Sequence, residues 1–151
     1  QQELAEQNIE TESLDEERLP EAIVLTKRAN VFGTESFKRG HFEVQDGASQ
    51  LVAGLLDPQP GERVVDACAG AGGKSLHLAA KMKNKGKIIA LEVVDWKIEE
   101  LKKRARRAGV SILEPRHIDS TKVIKRLKGS ADAVLLDVPC SGLGVLKRNP
   151  D

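Results

Sequence analysis

The chain has 151 residues, 40% of them hydrophobic and 31% charged, with a formal net charge of +1. This composition fits a soluble globular domain, excludes a disordered chain, and leaves any nucleic-acid affinity to local basic patches. Two cysteines, Cys68 and Cys140, and three scattered histidines make neither a disulfide framework nor a zinc spacing. No apolar run is long enough to span a bilayer and no signal peptide opens the chain, so the expected setting is cytoplasmic, without membrane or metal.

In chain order, Gln1 to Asn8 reads as the end of a helix with Leu4 and Ala5 facing inward. Glu3, Glu6, Glu10, Glu12, Asp15, Glu16 and Glu17 make this end acidic, which argues against its gripping phosphates by itself. Ala22 to Leu25 is a short strand candidate, and Asn30 to Gly33 a turn. Lys38, Arg39 and His41 form a small basic spot, read equally well as a solvated turn or an RNA contact. Ala48, Leu51, Val52, Leu55 and Leu56 then follow helical spacing, with Asp46 as N-cap. Asp57 to Gly61 turns the chain into the first strand of a sheet.

That strand, Val64 and Val65 ending in Asp66, runs into Ala67, Cys68, Ala69, Gly70, Ala71, Gly72 and Gly73. Lys74 and Ser75 then open an amphipathic helix carrying Leu76, Leu78, Ala79 and Met82. Strand, glycine turn and helix form the first unit of a nucleotide-binding α/β fold. Three ligand patterns compete. A phosphate-binding P-loop would need glycine at position 68, where Cys68 stands. A dinucleotide fingerprint starting at Gly70 and Gly72 lands on Ser75. The acidic-x-G-x-G-x-G pattern of S-adenosylmethionine loops fits Asp66, Gly70 and Gly72, with Cys68 replacing its first glycine. A glycine turn without a ligand stands beside all three.

Lys87 to Glu92 is the second strand. Glu92 lies about 20 residues beyond the turn, where a carboxylate takes ribose hydroxyls, although an ordinary strand-end acid fits too. Asp95 caps a helix with Ile98, Leu101, Ala105 and Ala108 on one face. Its other face carries Lys97, Lys102, Lys103, Arg104, Arg106 and Arg107, read first as solvated and second as an RNA contact. Trp96 is placed either against an adenine or in the packing of this helix. Val110 to His117 is a weaker strand broken by Pro115. Asp119, just past it, is placed either to accept from an adenine amino group or to cap the helix Thr121 to Leu127. Ala131 to Asp137 is a fourth, buried strand. Four strands alternating with helices predict a right-handed, mostly parallel sheet.

Asp137-Val138-Pro139-Cys140-Ser141-Gly142 follows at the same sheet edge as the glycine turn. Methyltransferases of exocyclic amines place an aromatic residue after the proline, whereas a cysteine permits covalent chemistry. A thiolate adding to carbon 6 of a pyrimidine makes carbon 5 nucleophilic, and a base must then remove the carbon 5 proton. A small buried cysteine at a strand end is the plain alternative for Cys140.

These stretches resemble the RsmB/Sun family of S-adenosylmethionine-dependent RNA 5-methylcytosine methyltransferases. The resemblance runs from about Asn30 to Asp151 and rests on GHFEVQDGASQL at Gly40–Leu51, DACAGAGGK at Asp66–Lys74, Glu92, Asp119, and DVPCSGLGVLKRNPD at Asp137–Asp151. The family's glycine turn reads CAAPGGK, from which Gly70-Ala71 depart while staying small. The resemblance implies a Rossmann-like class I methyltransferase sheet in residues 41–151, preceded by the end of an N-terminal RNA-binding extension in residues 1–40. It implies that Cys68, Ala69, Gly70, Ala71, Gly72, Gly73 and Lys74 wrap the methionine end of the cofactor, Glu92 its ribose and Asp119 its adenine. Asp137 would lie beside the methyl group and the cytosine, Lys147 and Arg148 near the RNA backbone. Cys140 would assist breakdown of a covalent adduct whose nucleophile, in a later Thr-Cys motif, is absent from this sequence. DNA cytosine methyltransferases instead use the Pro-Cys cysteine as nucleophile, and the residues alone do not separate the two. The expected substrate is RNA, ribosomal before transfer RNA, and the expected state a monomer. Alternatives are an amino- or small-molecule methyltransferase on the same fold and a non-catalytic RNA- or cofactor-binding module. Both ends look cut, and this segment alone is expected to have no turnover.

Overall fold

The computed structural model describes residues 1–139. Cys140, Lys147 and Arg148 therefore lie outside the described residues. The N-terminal part holds a short helix α1 (Gln2–Ala5), a hairpin β1 (Thr11–Asp15) and β2 (Leu19–Leu25), and a helical turn α2 (Glu35–Lys38). The hairpin is more than the single strand expected. Its turn is built by Asp15, whose Oδ1 accepts from Glu17 N at 3.1 Å and Arg18 N at 2.9 Å, an Asx turn that reverses the chain. Leu4 is buried as expected, whereas Ala5 faces solvent.

The remaining elements are α3 (Gly47–Leu56), β3 (Arg63–Asp66), α4 (Gly73–Lys81), β4 (Lys87–Glu92), α5 (Asp95–Arg107), β5 (Leu113–His117), α6 (Thr121–Lys125) and β6 (Ala133–Leu135). The last two are shorter than their apolar patterns suggest. The four later strands form one parallel sheet in the order β5-β4-β3-β6. The order reverses between β3 and β6, which opens a crevice outside their carboxyl ends, where ligands of doubly wound sheets sit.

Alternation along the strands sends side chains to two faces. Val64 and Ile88 pack with Ala53 of α3, with Leu78 and Ala79 of α4, and with Met82, its C-cap. Ala90 packs with Leu101 of α5. Val65, Ile89 and Leu91 take the other face with Leu127, just past α6. Asp46 does cap α3, accepting from Ala48 N at 3.0 Å. The buried face of α3 is rotated from the expected one, however. Ala53 is its buried residue, while Leu51 and Leu55 are exposed.

Pro115 does not break β5, where it pairs with Ala90 within an unbroken five-residue register. Ile118 N donates to Glu92 O, so by two-residue periodicity the amide positions 114 and 116 also face β4 and position 115 faces outward. The strand is on the sheet edge, so the missing N–H costs no ladder bond. Among the described residues no helix is long and apolar enough to cross a membrane, and no three His, Cys, Asp or Glu side chains gather as a metal cluster.

Candidate active site

The crevice is built first from backbone. Ala67 N donates to Leu135 O at 3.0 Å and Ala69 N to Leu91 O at 2.9 Å, so the chain leaving β3 is stitched to both neighbouring strands before it turns. Gly70 (φ +55°) and Gly72 (φ +88°) then take left-handed conformations. At Gly72, the N-cap of α4, a Cβ would stand 2.7 Å from Leu101 Cγ, so only glycine lets the bend settle onto α5. At Gly70 a Cβ would meet nothing within 4 Å, so bare backbone faces the open crevice.

Asp66 is buried at the foot of this bend. Its Oδ2 accepts from Ser75 Oγ at 2.6 Å and its Oδ1 from Cys68 N at 3.4 Å, which ties the strand end to the first turn of α4. Burial pushes its carboxyl above the ordinary aspartate range, more than these bonds and Lys74 pull it down. Cys68 is half-buried. Its thiol is pushed upward by burial first and then by the Asp66, Glu92 and Asp137 carboxylates. It is a neutral thiol near pH 7 and a poor nucleophile.

Asp137, just beyond β6, comes back to the glycine turn: Lys74 Nζ stands 2.6 Å from Asp137 Oδ2. Asp66, Cys68, Ala69, Gly70, Gly73, Lys74 and Asp137 share one cavity of about 200 Å³ with Gln45 and Ser49. Those last two come from the stretch before and at the start of α3, and their place at the cavity was not read from the sequence. Their membership in GHFEVQDGASQL was the available signal.

Glu92 is buried at the end of β4. Its Oε1 accepts from Val93 N at 2.8 Å and Val94 N at 3.0 Å, which leaves Oε2 without a protein donor among the described residues. Val94, rather than Asp95, is the N-cap of α5, and no side chain caps this helix start, where Lys97 N donates to Val94 O at 3.1 Å. His117 Nε2 binds Val93 O at 2.9 Å, which holds the neighbouring strand end in place. Asp119 is exposed two residues past β5. It accepts from Ser120 Oγ at 2.9 Å and does not cap α6, whose N-cap is Ser120. Trp96 is 65% exposed, so it does not pack α5 onto the sheet.

The basic residues divide differently from their sequence pattern. Arg104 and Arg107 leave the solvated face of α5 to pair with Glu43, Arg104 Nη2 standing 2.9 Å from Glu43 Oε2. Arg104 Nη1 also donates to Ala71 O at 3.0 Å, which braces the glycine turn from behind. The Arg107 guanidinium lies 3.9 Å over the Phe37 ring. The small basic spot is largely neutralised: Lys38 pairs with Glu35, and His41 Nδ1 lies 2.8 Å from Glu3 Oε2.

Comparison with known proteins agrees with this geometry. The family model for 16S rRNA methyltransferase RsmB/F matches residues 53–151. A probable ribosomal RNA small subunit methyltransferase B from Bacillus subtilis is 40% identical over 98% of this chain and 33% of its own length. The mouse tRNA (cytosine(72)-C(5))-methyltransferase NSUN6 is 40% identical over 67% of this chain and 24% of its own. The crystal structure of NSun6 from Pyrococcus horikoshii with SFG superposes with a TM-score of 0.71 at 29% identity, covering 81% of this chain and 33% of that one. The chain thus spans a quarter to a third of the length of these relatives. The crevice of the parallel sheet, the glycine turn at its mouth and the match across two thirds of the sequence lead to one conclusion: this chain belongs to the RsmB/F family of rRNA methyltransferases.

Proposed function

We propose that this chain forms the cofactor-binding part of an enzyme that methylates carbon 5 of cytosine in RNA, ribosomal RNA first, using S-adenosylmethionine. The observation that carries this reading is the meeting of two loops, Lys74 of the glycine turn with Asp137 after β6, across one cavity at the sheet's crevice. When bound, S-adenosylmethionine supplies the electrophilic methyl group. The residues present fit it. Gly70 offers bare backbone to the crevice, Glu92 keeps Oε2 free for a ribose hydroxyl, and exposed Asp119 stands at the next strand end for an adenine amino group. We assign Cys68, Ala69, Ala71, Gly72, Gly73 and Lys74 to the wall around the methionine end.

Asp137 belongs beside the reacting carbon, where a carboxylate held by Lys74 can orient the cytosine ring and handle its protons. The covalent step needs a thiolate, and neutral Cys68 is unsuited to supply one. As the family resemblance implies, we give the nucleophile's role to the cysteine of the later Thr-Cys motif, and adduct breakdown to Cys140. The thiolate adds to carbon 6 and makes carbon 5 nucleophilic toward the methyl group; once carbon 5 carries the methyl, a base takes the carbon 5 proton and the thiolate leaves. Lys147 and Arg148 belong near the RNA backbone. Residues 1–40 read as the end of an RNA-binding extension and 41–151 as the start of the catalytic domain. A cytoplasmic monomer completes the reading.

The full-length protein, given tritiated S-adenosylmethionine and unmodified ribosomal RNA, is expected to label cytosine carbon 5 and to form a covalent adduct with 5-fluorocytosine RNA. Methyl transfer without that adduct would move the reading to an amino-methyltransferase. A transfer RNA labelled in preference to ribosomal RNA would move the substrate to the class named for mouse NSUN6.

A further inference from the structure

The structure relocates the chain's positive surface. On α5 most cations are paired with acids: Lys102 with Glu99 at 2.8 Å, Lys103 with Glu100 at 3.9 Å, and Arg104 and Arg107 with Glu43, while exposed Arg106 donates Nε to Lys102 O at 3.3 Å. Lys97 lies 5.9 Å over the Trp96 ring. The segment around α6 is the opposite case. Residues 120–131 contain four cations, Lys122, Lys125, Arg126 and Lys128, and no acid. All four are exposed, and none has a carboxylate within 4 Å among the described residues. The nearest acids in sequence are occupied, Asp119 by Ser120 Oγ and Asp132 by Arg63 N. Set against a formal +1 for the whole chain, these four cations leave −3 on everything else.

We propose that the outward face of α6 and of the turn that follows it is a phosphate-contact surface for the RNA substrate, separate from the cavity where the base would react; this rests on the RNA reading above. The helix starts at the ligand-bearing rim, directly after Asp119 and Ser120, and packs Val123 and Leu127 against the sheet face away from α4. Lys122 thus stands nearest the rim, with Lys125, Arg126 and Lys128 leading down from it. Lys122 and Lys125 lie on α6 and Arg126 and Lys128 on the turn that follows, a compact group suited to about two to three successive phosphates of one strand. A membrane surface fits poorly. An interfacial helix needs a broad apolar outer face, and α6 exposes one large apolar side chain, Ile124.

The test uses the full-length protein carrying Lys122→Gln, Lys125→Gln, Arg126→Gln and Lys128→Gln, with a labelled single-stranded 20-mer of unmodified ribosomal RNA sequence. Fluorescence anisotropy is read between 50 and 200 mM salt. About two to three lost phosphate contacts at roughly 0.7 counterions each flatten the log–log salt slope by about 1.5–2, and affinity at 100 mM salt falls by about 10-fold. S-adenosylhomocysteine binding and the melting temperature stay unchanged. An unchanged slope in the folded variant overturns the proposal while leaving the RNA reading intact. A greater loss from Lys102→Gln with Lys103→Gln on α5 overturns it as well, as does binding to anionic phospholipid vesicles in place of RNA. Absence of any salt-dependent RNA binding by the unaltered protein overturns the RNA reading itself.

Discussion

The tightest geometric demand within the glycine turn is at Gly72, and alanine there measures it. Two costs add. The first is a non-glycine residue at φ +88°, a left-handed conformation worth about 1–2 kcal/mol. The second is a Cβ placed 2.7 Å from Leu101 Cγ, in a side chain that is 1% exposed and has nowhere to go. Overpacking of this kind costs about 1–3 kcal/mol. Gly72→Ala is therefore expected to lose about 3 kcal/mol, or about 6–12 °C in melting temperature for a chain this long. Gly70→Ala is the internal control. It shares the left-handed backbone but its Cβ meets no atom within 4 Å, so about 1–2 kcal/mol is expected. Combining Leu101→Ala with Gly72→Ala should cost about 1 kcal/mol less than the sum of the two single changes, the coupling read in a double-mutant cycle. Urea denaturation of the unaltered protein, Gly70→Ala, Gly72→Ala, Leu101→Ala and the double variant supplies the numbers. Equal losses at Gly70 and Gly72, or no coupling with Leu101, would refute the claim that the bend is seated on α5.

Three further outcomes follow from the site. Glu43→Gln strands Arg104 and Arg107, which are only 17% and 21% exposed, and should cost about 2–3 kcal/mol in urea titration; calorimetry should also show weaker S-adenosylhomocysteine binding as Ala71 loses its brace. Glu92→Gln keeps an oxygen for Val93 N and Val94 N, so its melting temperature should hold while S-adenosylhomocysteine affinity drops about tenfold; an unchanged affinity would remove Glu92 from the ribose role. Asp66 has a folded-state value above its unfolded one, so it favours the fold at low pH, and that contribution is lost as pH rises from the ordinary aspartate range through the raised folded value. Asp66→Asn should flatten this part of the stability–pH curve, and an identical curve would contradict the stated shift.

Local pattern carried the site's framework. The chemistry of the strand–glycine–helix unit is contiguous, so Asp66 to Ser75 could be read directly. The buried faces of α4 and α5 follow from spacing alone. Contacts between distant segments could not be read in this way. Lys74 and Asp137 are 63 positions apart, and Arg104 and Glu43 61; no periodicity joins them. The rotation of α3 escaped because both of its faces are apolar, so Leu55 looked as buried as Ala53. The first strand of the hairpin escaped because Thr11 to Asp15 is largely polar and exposed, held by pairing to β2 rather than by burial. Pro115 was misread because a proline's effect depends on which way its nitrogen points, and that depends on the neighbouring strand.

That nitrogen has a consequence for association. Sheet margins are where foreign polypeptide attaches, and attachment needs an uninterrupted row of donors. On the outer side of β5 the row has a gap at Pro115, so an incoming segment cannot zip along it. The margin at β6 bears no comparable interruption among the described residues, and Val134 and Leu136 lie open beside it. Lateral growth of this sheet, by its own polypeptide or another, is thereby channelled to a single side.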